Sequence, residues 1–295
     1  MRRQKIEFKL LDAVVILLFA ALAGFVVYRL AVQLNYRWNW GIIPQYLVRY
    51  DQDRGGWTTN VLLEGLFTSI RLSFWASILA ALLGLVMGVT RTARKLLFRL
   101  LGGTYVELIR NTPPLVLVFI FYFFVSDQIM PVFGVEEFIR SRSPETQEFL
   151  SYFFATPDLF TAFISGAVTV AFFQGAYMTE IVRAGLESLE KGQWEASYAL
   201  GLSWRQQMQY VIFPQAFKRV LPPLANEFIN TIKYSAIVSV ISIQELTFQG
   251  FQVMAATQVT IEVWLTITVM YLALCLSLSL LVQALEKRLA RNDAR

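Results

Sequence analysis

Polar side chains recur at three- and four-residue steps in a segment near residues 222–244, which is the weakest of the apolar segments because Lys233 interrupts it. They are Glu227, Asn230, Lys233 and Tyr234, with Asn226 beside them. This spacing places them on one face of a helix. Charged groups at membrane depth are costly and usually face a protein interior or a water-filled path. The pattern therefore predicts that this face lines a translocation pathway or the interface between two membrane subunits.

Lys233 is the side chain on this face whose chemistry is easiest to specify. Its ammonium group could attract the carboxylate of a solute. The alternative is a structural ion pair with Glu227 or with a carboxylate on another helix, and both interpretations fit the sequence. Asn111 and Thr112 stand at the start of another apolar segment and are assigned to the same pathway.

Composition excludes several kinds of catalytic chemistry. The chain has no His, so it offers no His metal site, no His general base and no Ser-His-Asp triad. Its single cysteine, Cys275, allows neither an intrachain disulfide nor a thiolate metal cluster. No Gly-x-x-x-x-Gly-Lys-[Ser/Thr] phosphate loop occurs. We therefore predict no catalytic residue, no metal ion and no cofactor on this chain, and expect any ATP to be bound by another subunit.

The elements that position these groups are predicted to be membrane-spanning helices. Of the 295 residues, 56% are hydrophobic and 16% are charged, with a mean hydropathy of +0.51, which excludes an ordinary soluble domain. A spanning helix needs about 20 mostly apolar residues. The spans are expected near residues 12–34, 61–90, 107–130, 159–180, 222–244 and 262–285. The predicted fold is thus an all-α integral membrane protein of about six transmembrane helices.

Lys and Arg residues set the predicted orientation. With a cytoplasmic N-terminus, the inner segments hold 18 Lys and Arg residues and the outer segments hold 5. Basic residues concentrate on the cytoplasmic side of membrane proteins. The basic, apolar start of the chain could alternatively be a signal peptide cleaved near Ala21-Leu22-Ala23. We predict an uncleaved anchor, because the apolar stretch continues to Leu34 and Asp12 interrupts its start.

Further patterns within the spans predict contacts between helices. Glu64 and Arg71 lie two turns apart on one face, which favours interhelical pairing, with solute contact as the alternative. The spacing of Gly84 and Gly88 is typical of close helix packing. Salt bridges are expected at i, i+3 for Glu107–Arg110 and Glu180–Arg183.

The predicted cytoplasmic stretch 192–214, "GQWEASYALGLSWRQQMQYVIFP", reads as a structured loop. Gln193 to Leu200 favours a helix, and Gly201 can end it in a left-handed conformation. Ser203 and Gln206 form a capping-box pattern, and Pro214 predicts a further break. Such a loop could dock into a cytosolic partner. It could also lie on the inner leaflet as an amphipathic helix.

Within this stretch, "EASYALGLSWRQQMQYVIFP" resembles the signature loop of the permeases of binding-protein-dependent ABC importers. Glu195, Ala196, Gly201 and Pro214 fall at the matching positions. The departures from the family pattern are mild, namely Ser197, Val211 and Phe213. "YVELIRNTPPLVLVFIFYF", "AYMTEIVRAGLESLEKGQWEA" and "PQAFKRVLPPLANEFINTIKYSAIVSVISIQEL" are similar to the polar amino-acid subfamily, although Tyr234 stands where many relatives have Asp.

The resemblance implies a five-span permease core over residues 59–295, with a coupling loop at about 185–220. Residues 1–58 would add an N-terminal anchor span and a periplasmic segment. The residues expected to contact the ATPase are Trp194, Glu195, Ala196, Ser197, Gly201, Leu202 and Pro214. The implied partners are an ABC ATPase subunit that binds ATP and Mg, a second permease chain, a periplasmic substrate-binding protein and membrane lipid, with no nucleic acid. The implied location is the bacterial inner membrane, and the implied solute is a polar amino acid.

A self-sufficient secondary transporter of small polar solutes is the alternative, since it would also use intramembrane Lys and Glu residues. It gives no role to the structured loop, and it would be favoured by an inverted repeat. No such repeat is evident in this sequence.

Overall fold

The structure is a computed structural model, and it divides into two compact units that are described separately. It describes residues 10–33, 36–53, 55–93 and 95–293. The first unit, Met1–Trp40, contains helix α1 (Leu10–Gln33), whose apolar part runs from Leu10 to Phe25. The basic residues before Leu10, which contribute to the predicted orientation and to the signal-peptide alternative, lie outside the described residues.

The second unit, Gly41–Arg295, is helical apart from one short hairpin. Its α-helices are α2 (Ile43–Leu47), α3 (Val61–Arg91), α4 (Leu96–Arg110), α5 (Pro114–Phe124), α6 (Met130–Val132), α7 (Val135–Arg140), α8 (Pro144–Phe153), α9 (Pro157–Glu187), α10 (Lys191–Ala199), α11 (Trp204–Gln206), α12 (Phe213–Ser235), α13 (Leu246–Thr257) and α14 (Thr260–Asp293). Strands β1 (Val48–Asp51) and β2 (Gly56–Thr59) pair antiparallel, with Val48 opposite Thr59. The all-α membrane prediction is confirmed, and the hairpin is an addition to it.

Within the described residues, four helical segments are long and apolar enough to cross a membrane. They are Val61–Arg91, Pro114–Val132, Pro144–Glu187 and Thr260–Ala284. The span predicted near 107–130 is present as Pro114–Val132. Helix α4 ends at Arg110, and the span starts at Pro114, because proline is well suited to the first turn of a helix. The segment 222–244 is helical to Ile241, but its last turns, Ala236–Ile241, are a 3₁₀-helix.

Helices α3 and α9 form the centre of the second unit and run parallel. A Cβ added at Gly84 would lie 2.6 Å from the Cβ of Met178, and one at Gly88 would lie 2.6 Å from a methyl carbon of Val182. The contact moves four residues along both helices in the same direction, which makes them parallel. The predicted close packing through these two glycines is confirmed, since no side chain fits between the helices there.

Helix α8 is attached to α3 through its last carbonyl groups. The Arg71 guanidinium donates to the Ser151 and Tyr152 carbonyl oxygens at 2.6 and 3.3 Å, and the Trp75 indole donates to the Phe153 carbonyl at 3.0 Å. Carbonyls at a helix C-terminus lack intrahelical partners and favour a nearby cation. Arg71 thus contacts another helix as predicted, but its partners are carbonyl groups rather than a carboxylate.

A fully buried carboxylate, Glu245, joins three helices at the N-terminus of α13. It accepts hydrogen bonds from the backbone N–H groups of Thr247 and Phe248, from the Tyr271 hydroxyl on α14 at 2.8 Å, and from the Ser69 hydroxyl on α3 at 3.3 Å. Burial raises the pKa of the Glu245 carboxyl, although these donors favour its ionised form. Gly65 leaves room for this contact, because a Cβ there would lie 2.9 Å from the Leu246 Cα.

Candidate functional site

The predicted coupling loop is a folded two-helix unit in the structure. Helix α10 ends in a Schellman motif: the Gly201 N–H donates to the Tyr198 carbonyl and the Leu202 N–H donates to the Ser197 carbonyl. Gly201 has a φ of +74°, so its left-handed conformation is confirmed. The Gln206 side chain then accepts from the Ser203 N–H at 2.9 Å, which confirms the predicted capping box.

The predicted break at Pro214 is wrong. The chain stays helical from Trp204 through a π-helical segment, Gln207–Ile212, into α12. The Phe213 N–H bonds to the Met208 carbonyl, five residues earlier. Proline cannot donate a hydrogen bond, and the widened turn before it absorbs this loss without ending the helix. The loop therefore continues directly into α12, the helix that carries the polar face.

The side of the loop that faces the protein is firmly anchored. Trp194 packs on a buried cluster from α9, the π-helical segment and α12, namely Val182, Leu186, Leu189, Ile212, Ala216 and Val220. Ser197 is 2% exposed, and its hydroxyl donates to the Trp194 carbonyl at 2.9 Å. Gln215 of α12 donates to the Gln193 side chain at 3.1 Å, which joins the loop to α12. These contacts favour a loop that moves together with its helices.

Other side chains of the loop are exposed, and several of them are large and apolar. Tyr198 and Leu200 are 73% and 79% exposed, and Trp204 is exposed as well. Glu195 and Ala196 are exposed on the same helix, α10, as Tyr198. Large exposed apolar side chains grouped on one surface are typical of an interaction site. Glu195 and Ala196 of the predicted coupling residues are thus exposed, whereas Trp194 and Ser197 anchor the loop to the protein.

Beside the loop, charged residues join the ends of α3 and α9. Glu180 pairs with Arg91 of α3 and with Arg183 at 2.9 Å, which confirms the predicted Glu180–Arg183 bridge. Arg183 also pairs with Glu187. A network of several ion pairs holds side chains more firmly than an isolated exposed pair does. The two central helices are therefore joined by charge at the end that carries the loop.

The polar face of α12 contacts α9 through Glu227. The Gln174 amide donates to one carboxylate oxygen of Glu227 at 2.5 Å, and the Asn230 amide donates to the other at 3.1 Å. Lys233 is exposed, and within the described part of the chain it has no hydrogen-bond or ion-pair partner. The ion pair with Glu227 is therefore not formed. Asn226 is also exposed, so this face presents one free cation and several amides.

Asn111 and Thr112 lie at the end of α4 and contact their own helix. The Asn111 amide donates to the Glu107 carboxylate at 2.9 Å, and the Thr112 hydroxyl donates to the Leu108 carbonyl at 2.7 Å. This capping replaces the predicted Glu107–Arg110 pair, which is not formed within the described residues. The Arg110 guanidinium instead lies 5.6 Å from the centre of a tyrosine ring on α9.

Two functional side chains were missed by sequence reasoning. Gln174 is fully buried in a span that the sequence marks only as uncharged, and Glu245 was assigned to a connecting segment. In the sequence, Gln174 is visible only as a single amide in a stretch of apolar residues, and Glu245 only as an acidic residue before a helical segment. Both positions become informative only when Glu227, Tyr271 and Ser69 are brought near them by the fold.

A bundle of apolar helices with an anchored helical loop at one end and a polar helix face between them defines a membrane transport subunit. The chain belongs to the family described as binding-protein-dependent transport system inner membrane component, which matches residues 80–291. This membership favours a permease that works with other subunits over the self-sufficient secondary transporter.

Proteins with similar sequences and structures belong to the same class. The chain is 31% identical over 233 residues to the probable glutamine ABC transporter permease protein GlnM of Bacillus subtilis, covering 79% of this chain and 95% of that protein. It is 30% identical over 251 residues to the glutamate/aspartate import permease protein GltJ of Escherichia coli, covering 85% and 94%. A solved structure described as an amino acid ABC transporter with histidines is 32% identical, with a TM-score of 0.61 over 77% of this chain and 94% of that one.

Proposed function

We propose that this chain is a permease subunit of an ATP-driven importer of polar amino acids. The observation that carries the proposal is the loop of α10 and α11, which has large exposed apolar side chains and is anchored to α9 and α12. The names of the similar permeases, for glutamine and for glutamate and aspartate, support amino acids as the solute class. In this proposal, the complete transporter, and not this chain alone, determines which amino acid is carried.

The partners in this proposal divide the work. An ABC ATPase subunit binds ATP and Mg and contacts Glu195, Ala196, Gly201, Leu202 and Pro214, whereas Trp194 and Ser197, which face the protein, hold the loop in place. A second permease chain completes the pathway, and a periplasmic binding protein delivers the solute. Closure of the ATPase dimer would move the loop, and because the loop continues into α12, it would tilt that helix as a rigid body. The chain itself carries out no hydrolysis in this scheme.

The proposed location is the bacterial inner membrane, with the loop and the N-terminus in the cytoplasm. Support comes from the distribution of Lys and Arg, with 18 on the proposed inner side and 5 on the outer side. We keep the division into an N-terminal anchor, residues 1–58, and a permease core, residues 59–295, within the proposal. The coupling loop at about 185–220 belongs to that core.

The proposed pathway is lined by the polar face of α12 and by residues at the end of α4. Asn226, Glu227, Asn230 and Lys233 form the first group, and Asn111 and Thr112 form the second. The free ammonium group of Lys233 is suited to the carboxylate that all amino acids carry. Glu227 is held in place by Gln174, so its position is fixed before a solute arrives.

The test is substrate-stimulated ATP hydrolysis by the complex reconstituted in liposomes with its ATPase, second permease and binding protein, measured across the amino acids. We expect stimulation and uptake for a small group of polar amino acids. Uptake by this chain alone, driven by an ion gradient without an ATPase, would contradict the proposal. Glu195→Lys should prevent ATPase association while leaving membrane insertion intact, and Glu148→Gln, on exposed helix α8, serves as the control.

A further inference from the structure

The second unit contains a cavity of about 830 Å³ at the end away from the loop. Its walls come from the first half of α3, the junction between α8 and α9, and the segment between α12 and α13. Twelve of the 21 lining residues are aromatic or aliphatic, and the other nine carry polar or charged side chains. A concave, mostly apolar cavity with a few convergent polar groups is typical of a small-molecule site.

Several polar side chains in the cavity have no hydrogen-bond or ion-pair partner within the described part of the chain, and three of them carry a carboxylate or an amide. They are Glu64, in the first turn of α3, Gln244, just before α13, and Gln249, in the first turn of α13. Gln244 and Gln249 come from the same short segment, and the Gln249 side chain lies against α3 at Gly65. The cavity thus offers one carboxylate and two amides that the fold does not use.

Two charged side chains, Glu64 and Arg71, line the cavity. The Arg71 Nη atoms donate to the Ser151 and Tyr152 carbonyl oxygens and to the Thr68 hydroxyl, and its buried Nε has no partner in the described residues. Glu64 forms no ion pair within the described part of the chain. A carboxylate at the wall of a mostly apolar cavity attracts a cationic group more strongly than one in open water. The group that fits Glu64 is therefore an ammonium.

The two amides are held in position by Glu245. Gln244 precedes this residue directly, and Gln249 follows it by one helical turn. Glu245 is bonded to α3 through Ser69 and to α14 through Tyr271, which fixes the backbone on which both amides stand. Side chains on such a supported segment are preorganised, so less entropy is lost when they bind.

The cavity contacts α12, the helix that carries the polar face. Phe228 lines the cavity, and its neighbour in sequence is Glu227, the residue that Gln174 and Asn230 hold. In the proposal, a solute held in this cavity passes next to the α12 face, and the cavity lies on the side that we propose to be outer.

We infer that this cavity is a receiving site that holds the α-ammonium group of an amino acid at Glu64 before the solute reaches Lys233. Gln244 and Gln249 provide donors and acceptors for the carboxylate and for polar side-chain atoms. This inference rests on the proposed function, because it assumes that amino acids pass through the chain. It adds a recognition step that acts before the α12 face, and that step selects for a free ammonium group.

The first test compares Glu64→Gln with Glu148→Gln in the reconstituted complex. Both changes turn an exposed carboxylate into an amide, but Glu148 lies on α8 outside the cavity lining. Uptake of L-glutamine, L-glutamate and L-arginine is measured. For whichever of them the complex carries, Glu64→Gln should lower uptake about tenfold, because a hydrogen bond between charged groups is lost. Glu148→Gln should transport as the unaltered complex does. Equal uptake by both variants would overturn the inference, provided that they assemble in equal amounts.

The second test measures binding directly, with the complex in liposomes and without the binding protein. Gln244→Cys is made in a Cys275→Ser background and labelled with a membrane-impermeant thiol reagent. The transported amino acid should slow the labelling severalfold, whereas its N-acetyl derivative, which lacks the ammonium group, should not. Glu148→Cys should be labelled at the same rate with or without the amino acid.

The outcomes separate the two ideas. If the unaltered complex carries no amino acid, the proposed function fails. If it carries one, and that amino acid does not protect Gln244→Cys, the receiving site fails alone. Equal protection by the N-acetyl derivative would overturn the assignment of the ammonium group to Glu64. Labelling of Gln244→Cys that is blocked in liposomes but fast in detergent would show that a lipid occupies the cavity instead.

Discussion

At the scale of single residues, the polar face of α12 depends on the Glu227 carboxylate, which already accepts hydrogen bonds within the fold. Glu227 receives amides from Gln174 on α9 and Asn230 on α12. These donors fix the position of the Glu227 carboxylate. Lys233 is left without such partners, so the two charged residues of one helix face have different tasks: Glu227 is fixed, and Lys233 is available.

Gln174→Leu is expected to destabilise the chain by about 1–3 kcal/mol, because it leaves a partly buried Glu227 oxygen without its donor. The measurement is the melting temperature of the purified complex in detergent. Gln209→Leu is the matched control, since Gln209 is exposed and such surface changes stay within about 0.5 kcal/mol. Equal melting temperatures for both variants would show that the Gln174–Glu227 bond contributes nothing.

Lys233→Met is expected to reduce amino-acid uptake about tenfold while the folded complex is retained, because Lys233 has no ion pair to lose. Uptake and ATP hydrolysis are measured on the same liposomes. Lys233→Arg, which keeps the charge, should restore a large part of the uptake. If solute affinity is unchanged in Lys233→Met, this residue does not bind the solute.

At the scale of elements, the loop owes its shape to a few local rules and its stiffness to tertiary contacts. The Schellman motif at Gly201 and the capping box at Ser203 are local, and both follow from residue types and spacing. The packing of Trp194 against the buried cluster between α9 and α12 is a tertiary contact. The local rules turn the chain, and the packed tryptophan prevents the turn from moving independently.

Gly201→Ala is expected to cost about 1–2 kcal/mol, because a Cβ is unfavourable in the left-handed conformation. The loop should then detach or change its angle, and binding of the ATPase should weaken. The measurement is the amount of ATPase that copurifies with the permease. Gly192→Ala is the control, because Gly192 lies in α10 with open space around it and alanine favours a helix. Similar copurification from both variants would contradict the role of Gly201.

Gly84→Leu is expected to prevent correct packing of α3 on α9, because its first side-chain carbon would already lie 2.6 Å from Met178. Overpacking of this kind costs about 1–3 kcal/mol or more. The measurement is the yield of monodisperse protein after extraction in detergent. Gly103→Leu is the control, since a Cβ at Gly103 meets nothing within 4 Å. A normal yield from Gly84→Leu would mean that the two helices do not cross there.

Sequence reasoning succeeded where a rule is local or compositional. Helical spans follow from hydropathy, and the caps at Gly201 and Ser203 follow from side-chain chemistry. It failed at Pro214, because a π-helical turn can absorb a missing donor and leaves no mark in composition. The partners of Arg71 and Gln174 were beyond it, because both contacts join residues more than 50 positions apart.

At the scale of the whole molecule, the two proposed sites are connected by one continuous helical path. The loop continues through the π-helical segment into α12, and α12 carries the polar face beside the cavity. Parallel helices α3 and α9 form the support, joined near the loop end by the glycine contacts of Gly84 and Gly88 and by ion pairs. A displacement at the loop can therefore reach the pathway along α12, past Pro222 and Pro223 inside that helix.

The buried Glu245 carboxylate also sets an order for biogenesis. Its partners, Ser69 and Tyr271, lie 176 residues before it and 26 residues after it. During synthesis the carboxylate leaves the ribosome before Tyr271 does, so its full set of donors forms only when the last span arrives. A chain that ends before Tyr271 should be degraded faster than one that ends after Leu285, as pulse-chase labelling would measure. Quality control of this transporter would then sense the arrival of its last helix through one carboxylate.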